Sequence, residues 1–252
     1  MSERVFLVGF SAVIGVGKTS LIERLKKTCA LQRALKEEHG LHPFVVFVLE
    51  PEGMWEENIN GVLTNWLQEF YKDRDMNAHP FQTIVFDTHV TVVEEAVQKA
   101  REECAPGQDI VIVVERTMYD QLLFWKLQVD DALKTTTPIF DAAYMKIWKR
   151  WCRFIPQVSL IFFLKTRALR TTMERLSRRQ GGDGVPLEYQ QKLLKKHESW
   201  YTEPAAFPPN CTVQGGVPCR HIEMNAPFHE DDGVLYEMAK EMAMPLAKII
   251  ED

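Results

Sequence analysis

A glycine-rich segment near the start of the chain combines the residue types that bind nucleotide phosphates. It contains Gly15, Gly17, Lys18 and Thr19, and it lies between an apolar run and a stretch with helical spacing. Backbone N–H groups at a helix N-terminus bind anions, lysine reaches the β- and γ-phosphates, and the threonine hydroxyl ligates Mg²⁺. The residues predicted to bind a nucleoside triphosphate here are Gly15, Val16, Gly17, Lys18, Thr19 and Ser20.

One residue departs from the usual pattern of this loop. Ala12 stands where the first glycine is expected. Glycine is common there because it tolerates positive φ and a close approach of the backbone to the ligand. Alanine is compatible with such a loop if residue 12 keeps a negative φ.

Charged side chains also follow two later apolar runs that are typical of buried strands. Glu50 comes directly after the first run, and Glu115 and Arg116 follow the second. Ligands of open α/β sheets bind at the carboxyl ends of the strands, so these groups are expected to converge on Lys18. The set suits phosphoryl transfer, which requires a held donor, an oriented hydroxyl and positive charge around the transferring group.

The elements that position these groups follow from the hydrophobic pattern. Apolar runs predict strands at residues 4–10, 43–49, 109–114, 158–164 and 220–224. Helices are predicted from residue 19 onward, over 57–73, 81–103, 117–131, 139–155, 167–179 and 186–200, and at the end of the chain. This alternation predicts an α/β fold with a P-loop NTPase-type parallel sheet of about five strands and helices on both faces. We expect one domain over residues 1–252, with a small lid at about 175–186.

Composition limits the class of protein. The chain has 252 residues, of which 46% are hydrophobic and 26% charged, which is typical of a globular protein. A net charge of −5 argues against a nucleic-acid-binding surface. Five scattered cysteines without a Cys-x-x-Cys pair favour free thiols in a reducing compartment. Because no apolar run reaches about 18 residues and no leader is evident, we expect a cytoplasmic protein without a membrane span.

The remaining motifs narrow the kind of P-loop protein. The guanine-binding pattern Asn-Lys-x-Asp is absent, and no Asp-x-x-Gly switch follows the third predicted strand. Four segments occur in order: residues 50–55 (Glu-Pro-Glu-Gly-Met-Trp), 81–83 (Phe-Gln-Thr), 115–117 (Glu-Arg-Thr) and 184–200, which ends in Lys-His-Glu-Ser-Trp. Their order, spacing and context resemble the deoxynucleoside kinase family, from about Val5 to Trp200 and on to Phe228.

The resemblance implies a kinase that transfers the γ-phosphate of ATP to the 5′-hydroxyl of a deoxynucleoside. Glu50 matches the carboxylate that orients this hydroxyl and accepts its proton. Arg116 matches the arginine that binds this carboxylate and the 5′-oxygen. Lys18 completes the expected catalytic group. Glu115 is expected to act near Mg²⁺ together with Thr19.

The resemblance also implies a nucleoside pocket. Gln82 matches the glutamine that pairs with the nucleobase, and Tyr71 has the spacing of the tyrosine on the sugar 3′-hydroxyl. The side chains expected to pack against the base are Trp55, Phe81 and Trp125. His89 and Gln121 stand at two positions that help to select the base, but they fit neither pattern found in the family. The preferred base therefore stays open.

A lid and a partner subunit are implied in the same way. The lid arginines that would close over the phosphates are Arg175, Arg178 and Arg179. This lid is about two residues shorter than in the family, and Asp183 is the candidate for replacing a sugar-binding glutamate. Asn225 is expected beside the donor adenine. The family commonly forms homodimers through helices like 81–103 and 139–155, so a homodimer is expected.

Two alternatives stay open at this point. A thymidylate-type nucleoside monophosphate kinase has the same fold and a similar loop, but it must hold a second phosphate on the acceptor. A nucleotide-binding protein without catalysis is compatible with Ala12 and with the altered lid.

Overall fold

The structure is a computed structural model that describes residues 3–178, 185–202, 216–224 and 228–252. Its main sheet contains β1 (Val5–Ser11), β2 (Phe44–Val48), β5 (Ile110–Glu115), β6 (Val158–Lys165) and β7 (Cys219–Glu223). Two short strands, β3 (Glu56–Ile59) and β4 (Val62–Asn65), form a separate hairpin. Each strand that the apolar runs predict is present in the main sheet.

The five main strands run parallel in the order β2-β5-β1-β6-β7. β1 is central and pairs with β5 on one side and with β6 on the other. Every residue of β5 is buried, and because successive side chains point to opposite faces, both faces of the sheet are covered. The predicted parallel α/β sheet is confirmed.

Nine α-helices lie in the described ranges. They are α1 (Lys18–Thr28), α2 (Ala30–His39), α3 (Trp66–Lys72), α4 (Arg74–Glu103), α5 (Met118–Asp130), α6 (Pro138–Trp151), α7 (Leu169–Arg178), α8 (Leu187–Thr202) and α9 (Asp232–Glu251). Helix α2 packs against α9, and α4 packs against α3, α5 and α6. None of these helices is both long and apolar enough to cross a membrane.

Helix α4 begins at Arg74, earlier than the predicted start at residue 81. The side chain of Asp73 accepts a hydrogen bond from the backbone N–H of Met76 (3.1 Å), which is the geometry of a helix N-cap. Pro80 lies inside the helix. The earlier start places Phe81 and Gln82 within a regular helix, where packing on both sides fixes their direction.

The predicted helix over residues 57–73 is wrong in its first half. The chain there forms the antiparallel β3–β4 hairpin, and only α3 is helical. Asn60 and Gly61 connect the two strands with φ angles of 52° and 85°. Two residues with positive φ make the tight turn that hairpins prefer, and Asn-Gly is its commonest sequence. This turn signal overrides the helical spacing of the apolar residues around it.

The centre of the sheet approaches the start of α5 closely at Gly9. A Cβ atom on Gly9 would lie 2.0 Å from Cγ2 of Thr117, the residue that caps α5. Thr117 directly follows Glu115 and Arg116. Because glycine has no side chain, the segment that contains Glu115 and Arg116 can pack directly against β1.

We expect Gly9→Ala to lower the free energy of unfolding by about 2 kcal/mol, because the new methyl group displaces Thr117. Thr117→Ser removes Cγ2 but keeps the capping hydroxyl, and the next atom, Cβ, would then be 3.5 Å away. The double variant should regain much of the lost stability in urea unfolding. Simple additivity of the two single changes would contradict the proposed contact.

Candidate active site

A cavity of about 710 Å³ opens where β1, β2 and β5 end. This volume is typical of sites for small molecules and cofactors. The predicted residues that line it are Gly15, Gly17, Lys18, Thr19, Ser20, Glu50, Trp55, Tyr71, Phe81, Gln82, Glu115, Arg116, Gln121 and Arg175. The fold thus brings the phosphate loop and the expected nucleoside-binding segments to one cavity.

The phosphate loop connects β1 to α1 through two glycines in the left-handed region. Gly15 has φ 85° and Gly17 has φ 104°, and Gly17 is the residue directly before α1. A Cβ atom on Gly15 would also lie 2.9 Å from the carbonyl oxygen of Thr172. Ala12 is not among the non-glycine residues with positive φ in the described chain, so alanine fits at that position. The first N–H groups of α1 are available to an anion.

Lys18 is a buried cation beside this loop. Its residue is only 5% exposed. Burial, and then the positive charge of Arg116, lower the pKa of Lys18 to about 8, while Glu115 and Glu50 act in the opposite direction. An anionic phosphate in the cavity would offset both effects, so the site is suited to negative charge.

Arg116 joins the ends of three strands. Its Nε lies 3.1 and 3.2 Å from the two carboxylate oxygens of Glu50, at the end of β2, and its Nη1 donates to the carbonyl oxygen of Ala12 (3.1 Å). Its guanidinium carbon lies 4.6 Å from the ring centre of Phe124. Arg116 adopts φ 67°, a sparsely populated conformation that often occurs at functional sites.

Glu115 and Thr19 provide neighbouring oxygen atoms at the phosphate loop. The Thr19 hydroxyl donates to Oε1 of Glu115 at 2.8 Å. Glu115 is buried, and both residues line the cavity. A hydroxyl and a carboxylate are hard oxygen donors of the kind that Mg²⁺ prefers beside nucleotide phosphates, so the pair fits this ion.

Aromatic rings build another wall of the cavity. The rings of Phe81 and Phe70 stack with centroids 4.9 Å apart, and Trp55 meets Phe81 edge to face at 5.7 Å. The indole N–H of Trp55 donates to the hydroxyl of Thr88 (3.1 Å), which fixes the plane of the ring. This wall offers a preformed apolar surface to a planar ligand.

Two amides and one hydroxyl complete the polar lining of this part. Oε1 of Gln82 and Nε2 of Gln121 are buried and have no hydrogen-bond partner among the described residues. Buried polar atoms normally have partners, so unpaired ones in a cavity wall indicate positions for ligand atoms. Burial raises the pKa of Tyr71, which keeps its hydroxyl protonated and able to donate.

Two residues expected at the base lie outside the cavity wall. Trp125 is fully buried, stacks on Tyr144 with ring centroids 4.5 Å apart, and donates its indole N–H to Asp141 (2.7 Å). Phe124 lines the cavity in its place. His89 is buried behind the wall, where burial lowers its pKa to about 4 and keeps the ring neutral near pH 7.

The lid arginines differ in their placement. Arg175 lines the cavity, and its Nη1 donates to the carbonyl oxygen of Val16 (2.5 Å). Arg178 ends α7 with an exposed side chain that does not line the cavity. Three expected residues lie outside the described residues: Arg179, Asp183 and Asn225.

Some residues that line the cavity are not predicted by the sequence motifs. They include Asn65, Phe70, Phe124, Tyr189 and His229. The aromatic members read equally well as core residues, because apolar periodicity does not distinguish a ring in a cavity wall from a ring in the core. The Asn65 side chain caps α3 by accepting from Gln68 N–H (3.0 Å), and this capping pattern was the available signal.

The fold and the cavity define a P-loop phosphotransferase with one site for nucleotide phosphates and an adjoining site for a planar ligand. A family model described as deoxynucleoside kinase matches residues 11–242. Because this match covers nearly the whole chain, the chain belongs to the deoxynucleoside kinase family. Members are ATP-dependent kinases, so membership implies phosphorylation of a deoxynucleoside. A search of curated proteins finds no match.

The lowered pKa of Lys18 predicts pH-dependent nucleotide binding. The ammonium group loses its proton as the pH rises through about 8, and a neutral amine does not attract phosphate. Between about pH 7 and about pH 9 the affinity for Mg·ADP in calorimetric titration should fall by about tenfold. Lys18→Arg stays charged over this range, so its own affinity should change little. A wild-type affinity that is constant over these pH values would contradict the prediction.

Proposed function

We propose that this chain transfers the γ-phosphate of ATP to the 5′-hydroxyl of a deoxynucleoside, with Glu50, Arg116 and Lys18 as its catalytic residues. The observation that carries this proposal is the Glu50–Arg116 pair, which lines the same cavity as the phosphate loop. A phosphate donor on the loop and a hydroxyl beside Glu50 would face each other across that cavity.

Glu50 orients the acceptor hydroxyl and takes its proton. Arg116 holds the carboxylate through Nε, which leaves the carboxylate in one position and lowers the entropy lost on reaching the reactive geometry. The guanidinium also places positive charge beside the attacking oxygen. Because the transition state of phosphoryl transfer is loose, this positioning matters more than the strength of the base.

Lys18 and the N-terminus of α1 bind the donor phosphates, and Thr19 and Glu115 would hold Mg²⁺. When bound, Mg²⁺ neutralises charge on the β- and γ-phosphates. The Thr19 hydroxyl donates to Glu115 at 2.8 Å, so the two oxygen atoms lie side by side at the phosphate loop. Arg175 supplies a further positive charge from α7 to the same part of the cavity.

The deoxynucleoside lies on the opposite side of the Glu50–Arg116 pair. Trp55 and Phe81 form the apolar surface for its base, and the unpaired amide atoms of Gln82 and Gln121 bond the base edge. Tyr71 donates to the sugar. Since all of these side chains are neutral, they recognise an uncharged nucleoside, which favours this acceptor over a nucleoside monophosphate.

We also propose one domain over residues 1–252, with a lid at about 175–186. In support, buried residues of β1, β5, β6 and β7 pack with those of α9 in one large hydrophobic core, and Tyr71 packs against both this core and a smaller cluster that contains Trp55 and Phe81. Arg175 in the first part of the proposed lid already lines the cavity, and so does Val185 in its last part. The lid would exclude water from the transferring phosphate.

Phosphorylation of the four deoxynucleosides, run beside thymidine monophosphate with Mg·ATP, tests the proposed acceptor. We expect product from at least one nucleoside. Product from the monophosphate alone would move the protein to a different kinase class. Binding of ATP without any product would favour a nucleotide-binding protein without catalysis.

Glu50→Gln should lower kcat by about a hundredfold or more, because the amide keeps the shape of the side chain but accepts no proton. The affinity for Mg·ADP should change little, since Glu50 does not belong to the phosphate loop. Glu38→Gln, on the exposed side of α2, is the matched control and should keep the wild-type kcat. An unchanged kcat in Glu50→Gln would exclude the assigned role.

We propose a homodimer through α4 and α6. Its support is an apolar stretch on the outer side of α6, where Ile139 is 81% exposed and Phe140 is 39% exposed. In sedimentation experiments the wild type should be dimeric, and Ile139→Lys should shift it towards monomer. Met244→Lys, a change of another exposed apolar residue on α9, should leave the dimer intact. A monomeric wild type would refute this assembly.

A further inference from the structure

The carbonyl groups of the phosphate loop have side-chain donors at every second residue. Three bonds form this pattern: Arg116 Nη1 to Ala12 O (3.1 Å), Gln190 Nε2 to Ile14 O (2.8 Å) and Arg175 Nη1 to Val16 O (2.5 Å). The donors come from three different elements, namely the end of β5, α8 and α7. Together they fix the directions of three carbonyl groups of the loop.

This pattern decides which way the backbone N–H groups of the loop point. Within a trans peptide unit, the carbonyl of one residue and the N–H of the next point in opposite directions. The bonds at residues 12, 14 and 16 therefore turn the N–H groups of Val13, Gly15 and Gly17 away from these donors. At residue 14 the donor is buried outside the cavity lining, so the Ile14 carbonyl is held away from the cavity. Several N–H groups that face one concavity form an anion-binding nest.

Gln190 differs from the two arginines in having no direct access to a ligand. Arg116 and Arg175 both line the cavity, whereas Gln190 is fully buried and does not. Its Nε2 donates to Ile14, and its Oε1 has no partner among the described residues. A fully buried amide with one unpaired oxygen is unfavourable for stability, so stability alone gives a weak reason for glutamine at this position.

The C-terminal part of α8 is also connected to the start of the loop. The Tyr201 hydroxyl donates to Oδ1 of Asp120 (3.2 Å), and the Ser11 hydroxyl donates to the same oxygen. Asp120 in turn accepts from the backbone N–H of Thr117 (2.7 Å). The helix is thus connected to residue 11 as well as to residue 14, which makes it a rigid support for the loop.

We infer that Gln190 is a positioning residue for the phosphate donor: by holding the Ile14 carbonyl outward, it keeps the adjoining N–H groups directed at the phosphates. The inference rests on the proposed kinase function, because it assumes that the loop binds ATP. Its consequence is selective, since the nucleoside contacts Gln82, Tyr71 and Trp55 instead. Loss of Gln190 should therefore lower the affinity for the phosphate donor and leave the affinity for the nucleoside unchanged.

The test compares Gln190→Leu and Gln190→Met with the wild type. Leucine keeps much of the volume and methionine keeps the length of the side chain, but neither donates a hydrogen bond to the Ile14 carbonyl. We expect each to raise the KM for ATP and the dissociation constant of Mg·ADP by about tenfold, the equivalent of one lost hydrogen bond. The KM for the nucleoside should stay within about twofold of the wild type.

Gln191→Leu is the matched control, because the neighbouring glutamine on the same helix is exposed. This control should keep the wild-type KM for ATP, KM for the nucleoside and dissociation constant of Mg·ADP. Unchanged Mg·ADP affinity in Gln190→Leu and Gln190→Met would overturn the inference, and so would an equal loss of donor and nucleoside affinity, which indicates general destabilisation. If one variant does not fold, the other gives the same comparison.

Direct titration with Mg·ADP separates this inference from the proposed function. A wild type that binds Mg·ADP but phosphorylates no deoxynucleoside would refute the proposed function, while the effect of Gln190→Leu on Mg·ADP binding would still decide the role of Gln190. A wild type that does not bind Mg·ADP would overturn both.

Discussion

A buried guanidinium needs hydrogen-bond acceptors around it. In this protein the acceptors of one such group lie at the ends of neighbouring parallel strands, so the group connects three strands. Arg116 follows β5, contacts Glu50 at the end of β2, and donates to the Ala12 carbonyl after β1. A buried ion pair adds little net stability, because desolvation offsets the attraction. Its effect here is positional, since it fixes the carboxylate relative to the phosphate loop.

The distribution of charge in the cavity explains its preference for an anion. Lys18 and Arg116 are both buried, and burial together with the positive charge of Arg116 lowers the pKa of Lys18. The carboxylates of Glu50 and Glu115 compensate only in part. Phosphate groups relieve the remaining repulsion, and in a cavity of low polarity this attraction is stronger than it would be in water. The binding of the donor is thus linked to the geometry around Arg116.

Particular residues show how far sequence reasoning extends into the site. The glycines, Lys18 and the charged residues after the strands were predicted, because strand ends and turn residues leave local signals. The apolar residues around the β3–β4 hairpin have helical spacing and predict a helix, although Asn60-Gly61 is a local signal for the turn. Trp125 was expected in the cavity wall, but its neighbour Phe124 lines the cavity, since adjacent aromatic residues of a buried helix differ only in direction.

The sequence by itself determined the parallel sheet, the phosphate loop and the family, because these depend on hydrophobic periods, glycine positions and short motifs. Only the tertiary structure decided which side chains face the cavity, since that depends on how α4, α5 and α8 are rotated when they pack. It also decided the role of Gln190, which lies far from the loop in sequence and acts on it through a single carbonyl group. A contact between distant segments leaves no periodic trace in a single sequence, so packing alone reveals it.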